Sequence, residues 1–390
     1  MSVPARTLSF PEATAIIAGY GIGGGMLALP YLVSLNGIGP SALVLAGAYA
    51  LSLLLHLMIA ELAAGDGSGR QIVELFREYL FTGKGGKALT WVFFGVMGVV
   101  FVANLAAYVS GGSEILAALG LAEPWGGIAF YAAAAAVAAF GLKVLGVAEK
   151  WAVGAMAVLF ALLVAASLVA LAKADFTIPA PAPALSPNAA GLLALYGMAM
   201  FCFAAFFSVP QAAQGLADRP TLIPRAVAAG LGVNFTLILL VTTLSLLLSP
   251  EPTIIATVGW GRALGPRAEL AGTGFVLLAM LTSYWSISFA LSSMIRERLG
   301  LGNFPAWLLA TVPTLVLALA GFGGFLEFMR TAGGAIAVLV AVLFVPAYRR
   351  YRNRKGTPVI LPPGISGRAW DWLAVAAYLA MAAGSLMPIR

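Results

Sequence analysis

Charge is what this sequence has least of. Asp, Glu, Lys and Arg together make up 9% of its 390 residues, against roughly 25% in an average soluble domain. So few charges cannot cover a water-exposed surface of this size. A single cysteine, Cys202, excludes a disulfide framework within the chain. A single histidine, His56, with no His/Asp/Glu metal cluster and no nucleophile–base pair, argues against an intramembrane enzyme. No cleavable signal peptide is expected, because the first apolar run is too long and its Gly-rich middle differs from a signal-peptide core.

What is present is 61% apolar residues in long runs without charge. Residues 13–55, 88–113, 151–172, 226–250, 270–295, 331–348 and 372–389 contain no Asp, Glu, Lys or Arg. About 20 such residues cross a hydrocarbon core ~30 Å thick as a helix, and only helices or closed barrels satisfy their backbone there. The runs are continuous rather than alternating, which selects helices over a barrel. The expected fold is an all-α membrane protein forming one domain over residues 1–390. Eleven spans are placed near 12–35, 39–64, 87–118, 125–142, 150–172, 190–216, 222–248, 269–297, 303–320, 325–346 and 370–388. Asn36 to Pro40 turns the chain between spans 1 and 2, and Pro179 to Pro187 reads as an extended loop before span 6.

The net charge of +7 does not indicate nucleic acid, because the basic residues sit in short loops on one side. With the N-terminus inside, only Lys173, Arg262, Arg267, Arg330 and Arg390 of the 22 Lys and Arg fall on or near the outer side. The expected location is the inner membrane, with the N-terminus cytoplasmic. The cluster Arg349 to Lys355 is expected to follow span 10 and touch anionic headgroups.

Gly19-Tyr20-Gly21-Ile22-Gly23-Gly24-Gly25, followed by Pro30, is the sharpest local signal. Each glycine disfavours a helix interior by roughly 1 kcal/mol relative to alanine, so five of them penalise an unbroken helix by about 5 kcal/mol. Glycines on every face do not suit a small-residue packing stripe, which needs one face. A broken span exposes N–H groups at one half-helix start and carbonyls at the other half-helix end. The first suits a carboxylate and the second an ammonium or Na⁺, the charges of an amino-acid zwitterion and a coupling ion.

Gly23-Gly24-Gly25-Met26-Leu27-Ala28-Leu29-Pro30 resembles the G-x-G-(I/M)-L-x-L-P element of amino acid/auxin permeases and hydroxy/aromatic amino acid permeases, within the amino acid–polyamine–cation superfamily. Ala107 to Ser113 resembles the A-Y-[IV]-S-G-G element of bacterial tryptophan/tyrosine permeases. The resemblance implies a LeuT-type inverted repeat of five plus five spans, about 10–172 and 188–346, with an extra helix near 370–388 and spans 1 and 6 broken. It implies secondary active transport of a neutral amino acid, aromatic or hydrophobic, by alternating access. Substrate is expected at Gly23, Gly24 and Gly25, at Asn104 and Tyr108 on one face of span 3, and at Phe203, Ala204 and Phe206. The aligned stretch of span 6, Cys202 to Pro210, lacks the His and both Gly of the S-F-G-F-H-G pattern of aromatic permeases, which puts an aromatic substrate in question.

A further resemblance is to sodium-coupled transporters of the same fold. Gly19 to Gly25 runs in register with their G-N-A-V-G-L-G, and Ala279-Met280-Leu281-Thr282-Ser283 with their A-x-L-T-S. This implies a Na⁺ site of the Gly19, Ile22 and Ala279 carbonyls with the Thr282 and Ser283 hydroxyls, five oxygens without a carboxylate. Thr282 and Ser283 bonding carbonyls of their own helix is the alternative. No other cofactor is expected. Proton-coupled relatives carry a Lys in mid-span 5; here that span is read as uncharged, with Lys150 at its end. Protons carried by Glu61, His56 or Glu114 remain an alternative to Na⁺, and a non-concentrative channel an alternative to a symporter. Glu327 and Arg330, i and i+3 near the outer end of span 10, are read as a gate or a static ion pair. Glu61 is expected to anchor backbone amides, His56 to be a packed residue, and Asn234 to bond across helices.

Overall fold

The protein is described by a computed structural model covering residues 8–172, 188–248, 256–321, 334–336, 338–355 and 367–387, with 253, 361 and 365. Every regular element among these residues is helical. The first span is α1 (Phe10–Gly21), a 3-10 turn (Gly24–Ala28) and α2 (Leu29–Asn36), bent by 53° between its halves. Then come α3 (Ile38–Asp66), α4 (Ile72–Tyr79), α5 (Gly86–Ala118), α6 (Trp125–Ala139) and α7 (Leu142–Ala172). The second half runs α8 (Ala189–Cys202), α9 (Ser208–Gly215), α10 (Ile223–Leu248), α11 (Ala256–Leu264), α12 (Pro266–Leu299) and α13 (Asn303–Leu319). After the residues beyond 321 come a π-helical turn (Val340–Phe344), α14 (Val345–Lys355) and α15 (Arg368–Leu386).

Six helices (α3, α5, α7, α10, α12 and α15) are long and apolar enough to cross a bilayer, and the bent α1–α2 pair makes a seventh. Shorter apolar helices α6, α8 and α13 occupy predicted spans 4, 6 and 9. Along α7 the outward side carries Trp151, Val158, Leu162, Leu168 and Val169, each more than half exposed. An apolar stripe of that extent faces lipid, not water. By contrast 72% of the apolar window of α12 is buried, against 28% for α7. So α12 is the axis of the bundle, packed on α1, α5, α6, α7 and α13, while α7 lies at its rim with one face turned inward.

Two boundaries differ from the sequence reading in ways that matter. Span 5 begins at Leu142, eight residues before the expected 150. Lys143 and Glu149 lie inside the helix, and each has a reason to be there: Lys143 Nζ donates to Glu12 Oε2 at 2.6 Å, and Glu149 bonds α12. Span 10 continues through the π turn to Lys355 instead of ending at 346. Its basic cluster therefore meets protein: Arg349 pairs with Asp371, Arg350 donates to Leu80 O, Arg352 lies 3.9 Å from Glu61, and Arg354 pairs with Glu78 at 3.1 Å. These contacts clamp α14 to helices α3, α4 and α15.

The loop after α3 also holds structure that apolar periodicity over a span does not reveal. Amphipathic α4 lies against α5 and α14 with Ile72, Val73, Leu75 and Phe76 buried. Arg298, in the last turn of α12, reaches Glu74 at 3.1 Å with both side chains buried. Burial and the neighbouring Asp66 carboxylate, to which its hydroxyl donates at 2.8 Å, push the Tyr79 phenol up from its ordinary range. Gly300, at φ 67, ends α12 with its N–H on Arg296 O, a left-handed cap that a side chain would strain.

Candidate functional site

Helix α1 stops where the glycines begin to crowd. Ile22 leaves the helix, Gly23 is extended (φ −112, ψ 175), and the chain resumes as a 3-10 turn from Gly24. Gly24 and Gly25 open that second half, so their amides stand at its start. On the opposite side α8 stops at Cys202 and α9 starts at Ser208, with Phe203 to Phe207 between them.

The two breaks nearly touch. A Cβ on Gly21 would lie 2.9 Å from the Cys202 carbonyl oxygen and would collide with Asn234 Nδ2. A Cβ on Gly25 would lie 3.2 Å from the Phe201 ring and 3.4 Å from Cys202 Sγ. At position 21 only glycine permits that approach, while at 25 a side chain would need its neighbours to give by a few tenths of an ångström.

Polar groups of neighbouring helices hold the second break open. Ser52 Oγ donates to Phe203 O at 3.2 Å. His56 Nδ1 lies 2.7 Å from Ser52 O, and its Nε2 accepts the Ala205 N–H at 3.0 Å. These partners place the proton on Nδ1. His56 is thus fully buried, as a packed residue would be, and also caps an unwound segment.

Between the breaks lies a small hollow with a cavity volume of about 30 Å³, room for about one water, so a substrate enters it only as the helices part. Gly21, Gly23, Gly25, Asn104, Tyr108 and Ala204 line it, with Tyr20, Phe201, Cys202, Ile287, Ile336 and Met381. Asn104 Oδ1 is buried and has no hydrogen-bond partner among the described residues. The Tyr108 hydroxyl is hydrogen-bonded with Ser283 and would lie 3.5 Å from a Cβ on Gly23.

Phe203 and Phe206 are turned away from the hollow. Phe203 packs on Tyr49 and Phe235; Phe206 stacks on His56 at 5.0 Å and meets Tyr378 at 5.3 Å. The break puts the side chains of Phe201, Cys202 and Ala204 on the hollow instead, a choice of face that aromatic content alone does not reveal. Glu327 and Arg330 lie outside the described residues. Glu61 accepts the Leu361 N–H at 3.0 Å, an amide, but one far along the chain from either break.

Beneath the first break, α12 brings two hydroxyls to the carbonyls of α1. Thr282 Oγ1 lies 3.1 Å from Gly19 O and 3.0 Å from Ala279 O. Ser283 Oγ lies 3.4 Å from Gly19 O, 3.3 Å from Tyr20 O and 3.5 Å from Ile22 O. The five oxygens named from the sequence therefore come together, with Tyr20 O beside them. Oxygens bound at about 2.4 Å to a hard cation sit about 3.4 Å apart at right angles, and the spacing here fits. If a Na⁺-sized ion binds here, the Gly19, Ile22 and Ala279 carbonyls and the Thr282 and Ser283 hydroxyls would hold it.

One residue escaped the sequence reading. Glu149, on α7, is fully buried beside this cluster. Its Oε1 accepts from Ser286 Oγ at 2.7 Å, and a Cβ on Gly19 would collide with its Oε2. The signal was available: Leu145, Ala152, Met156, Phe160 and Leu163 form a buried stripe at intervals of three and four, and position 149 falls on it.

Residues 6–249 match the tryptophan/tyrosine permease family. A tryptophan-specific transport protein of Pseudomonas aeruginosa (strain UCBPP-PA14) is 26% identical over 395 residues, covering 94% of this chain and 90% of that protein. Among solved structures, MhsT in complex with L-phenylalanine aligns with a TM-score of 0.68 at 16% identity, covering 98% of this chain and all of that one. Mhp1, a nucleobase-cation-symport-1 family transporter in a closed conformation with bromovinylhydantoin bound, aligns at 0.69 and 12% identity, covering 98% and 91%. These likenesses give the fold, an all-α transporter of the LeuT type, and the family gives the coarse function, amino acid transport with no enzymatic reaction. The chain is a multi-pass membrane protein that belongs to the tryptophan/tyrosine permease family.

Proposed function

We propose that this protein concentrates an aromatic amino acid, tryptophan first among them, in the cytoplasm by Na⁺-coupled alternating access. The observation that carries the reading is the juxtaposition of two broken helices around one hollow, with an oxygen cluster directly beneath the first break. The amides of Gly24 and Gly25, at the start of the second half-helix, take the substrate carboxylate, since a half-helix start favours an anion. The carbonyl of Ala204, the residue of the second break that lines the hollow, takes the ammonium, since the Phe203 and Ala205 carbonyls already accept from Ser52 and Ser208. Asn104 Oδ1 and the Tyr108 hydroxyl face the polar end of the substrate, while Phe201, Ile287, Ile336 and Met381 surround its ring. The relative named for tryptophan transport supports the aromatic choice over the missing span-6 His and Gly.

In this reading residues 10–172 and 188–346 are the two inverted repeats, and the broken helices are their equivalent first members. The membrane is the inner one with the N-terminus inside, by the distribution of Lys and Arg. Na⁺ completes the carbonyl–hydroxyl cluster, and through the Ser283–Tyr108 bond its presence reaches the substrate hollow. Uptake of labelled tryptophan into proteoliposomes tests this. Accumulation above the external concentration is expected with an inward Na⁺ gradient and not with K⁺ replacing it. Uptake driven equally by a pH gradient without Na⁺, or equilibrating without accumulation, would overturn the coupling.

A further inference from the structure

The two carboxylate oxygens of Glu149 have unequal surroundings. Oε1 is satisfied by Ser286, whose own carbonyl accepts from Gln211 Nε2 at 2.9 Å. Oε2 has no partner among the described residues and is fully buried. The basic residues nearest in sequence are engaged elsewhere: Lys143 is held by Glu12, and Lys150 lies over the Trp151 ring. A carboxylate inside a membrane protein without a cationic partner is unfavourable by several kcal/mol. Oε2 is directed at Gly19, on the side where Thr282 also approaches; a Cβ there would collide with Oε2 and lie 3.1 Å from Thr282 Cβ. Gly19 O is the carbonyl that both cluster hydroxyls share.

We propose that Glu149 is the charged member of the cation site, its Oε2 neutralising the ion held by Gly19, Thr282 and Ser283. This rests on the Na⁺ reading above and alters it in one respect: the site is anionic rather than built of neutral oxygens alone. Helix α7 then belongs to the ion site together with α1 and α12. Ser286 fixes the carboxylate so that one oxygen is committed to protein and the other to the ion. A charged ligand contributes to cation affinity at least as much as a neutral oxygen does, so removing the charge weakens Na⁺ binding.

The test is the melting temperature of the detergent-purified full chain, titrated with NaCl at ionic strength held constant by choline chloride. Binding to the folded state raises the melting temperature with ion concentration. For the wild type a Na⁺-specific rise is expected. In Glu149→Gln, which keeps an acceptor for Ser286, the midpoint of that rise is expected to move up at least tenfold. A midpoint within twofold of wild type would overturn the proposal while leaving Na⁺ coupling intact. A wild type indifferent to Na⁺ would overturn both. Should Glu149→Gln not fold, Ser286→Ala serves: freeing the carboxylate is expected to raise the midpoint severalfold, and an unchanged midpoint would count against the role.

Discussion

Replacing Thr282 by alanine removes one oxygen from the cation cluster and little else. Its Oγ1 lies 3.1 Å from Gly19 O and 3.0 Å from Ala279 O, so truncation leaves carbonyls without a hydroxyl but strands no buried donor. A hydrogen bond to a charged group contributes about 1.5–3 kcal/mol, and a neutral oxygen on Na⁺ is taken as comparable. At 1.4 kcal/mol per tenfold, the Na⁺ concentration for half-maximal tryptophan uptake should rise about 10- to 150-fold. The lost methyl separately lowers fold stability by about 1 kcal/mol, which unfolding in choline medium reads without the ion. Thr282→Ser keeps the oxygen and should stay within threefold of wild type. The assay is initial uptake into proteoliposomes across a Na⁺ series. If Thr282→Ala leaves the half-maximal concentration within twofold, Thr282 does not touch the ion and the cluster is a set of helix-to-helix hydrogen bonds.

Gly21→Ala should reduce uptake at least tenfold at unchanged expression, because its Cβ meets Asn234 and the Cys202 carbonyl. Adding Asn234→Ala should recover only part, since the backbone carbonyl cannot retreat; full activity in the single variant would show that the breaks do not cross this closely. His56→Phe should lower the melting temperature by leaving the Ala205 N–H unmet, a loss of about 1–3 kcal/mol. His56→Gln, which restores an acceptor, should recover part of it, and equal melting temperatures for His56→Phe and wild type would refute the capping role.

The glycine run shows how far local chemistry reaches. Five glycines among seven residues cannot hold a helix unaided, and the break appears at Ile22 and Gly23. The hydroxyls of Thr282 and Ser283 lie against carbonyls of the broken first span, the juxtaposition that the resemblance to sodium-coupled transporters implied. The Phe203 and Phe206 rings were misplaced for the opposite reason. Which side of an unwound segment faces a cavity depends on the neighbours, here Tyr49, His56 and Tyr378, none of them adjacent in sequence.

By itself the sequence determined the membrane class, the positions of the apolar spans and the weak point in the first of them. Those follow from transfer of apolar side chains and from backbone propensity, both of which act residue by residue. Only the tertiary structure decided that Glu149 is buried against Gly19 instead of sitting at a helix end. It likewise gave the basic cluster of α14 its protein partners on α3, α4 and α15. A charged side chain is tolerated wherever a partner stands, and most partners here, Gly19 and Ser286 for Glu149 and Glu78 for Arg354, come from helices more than a hundred residues apart, at separations no local pattern encodes.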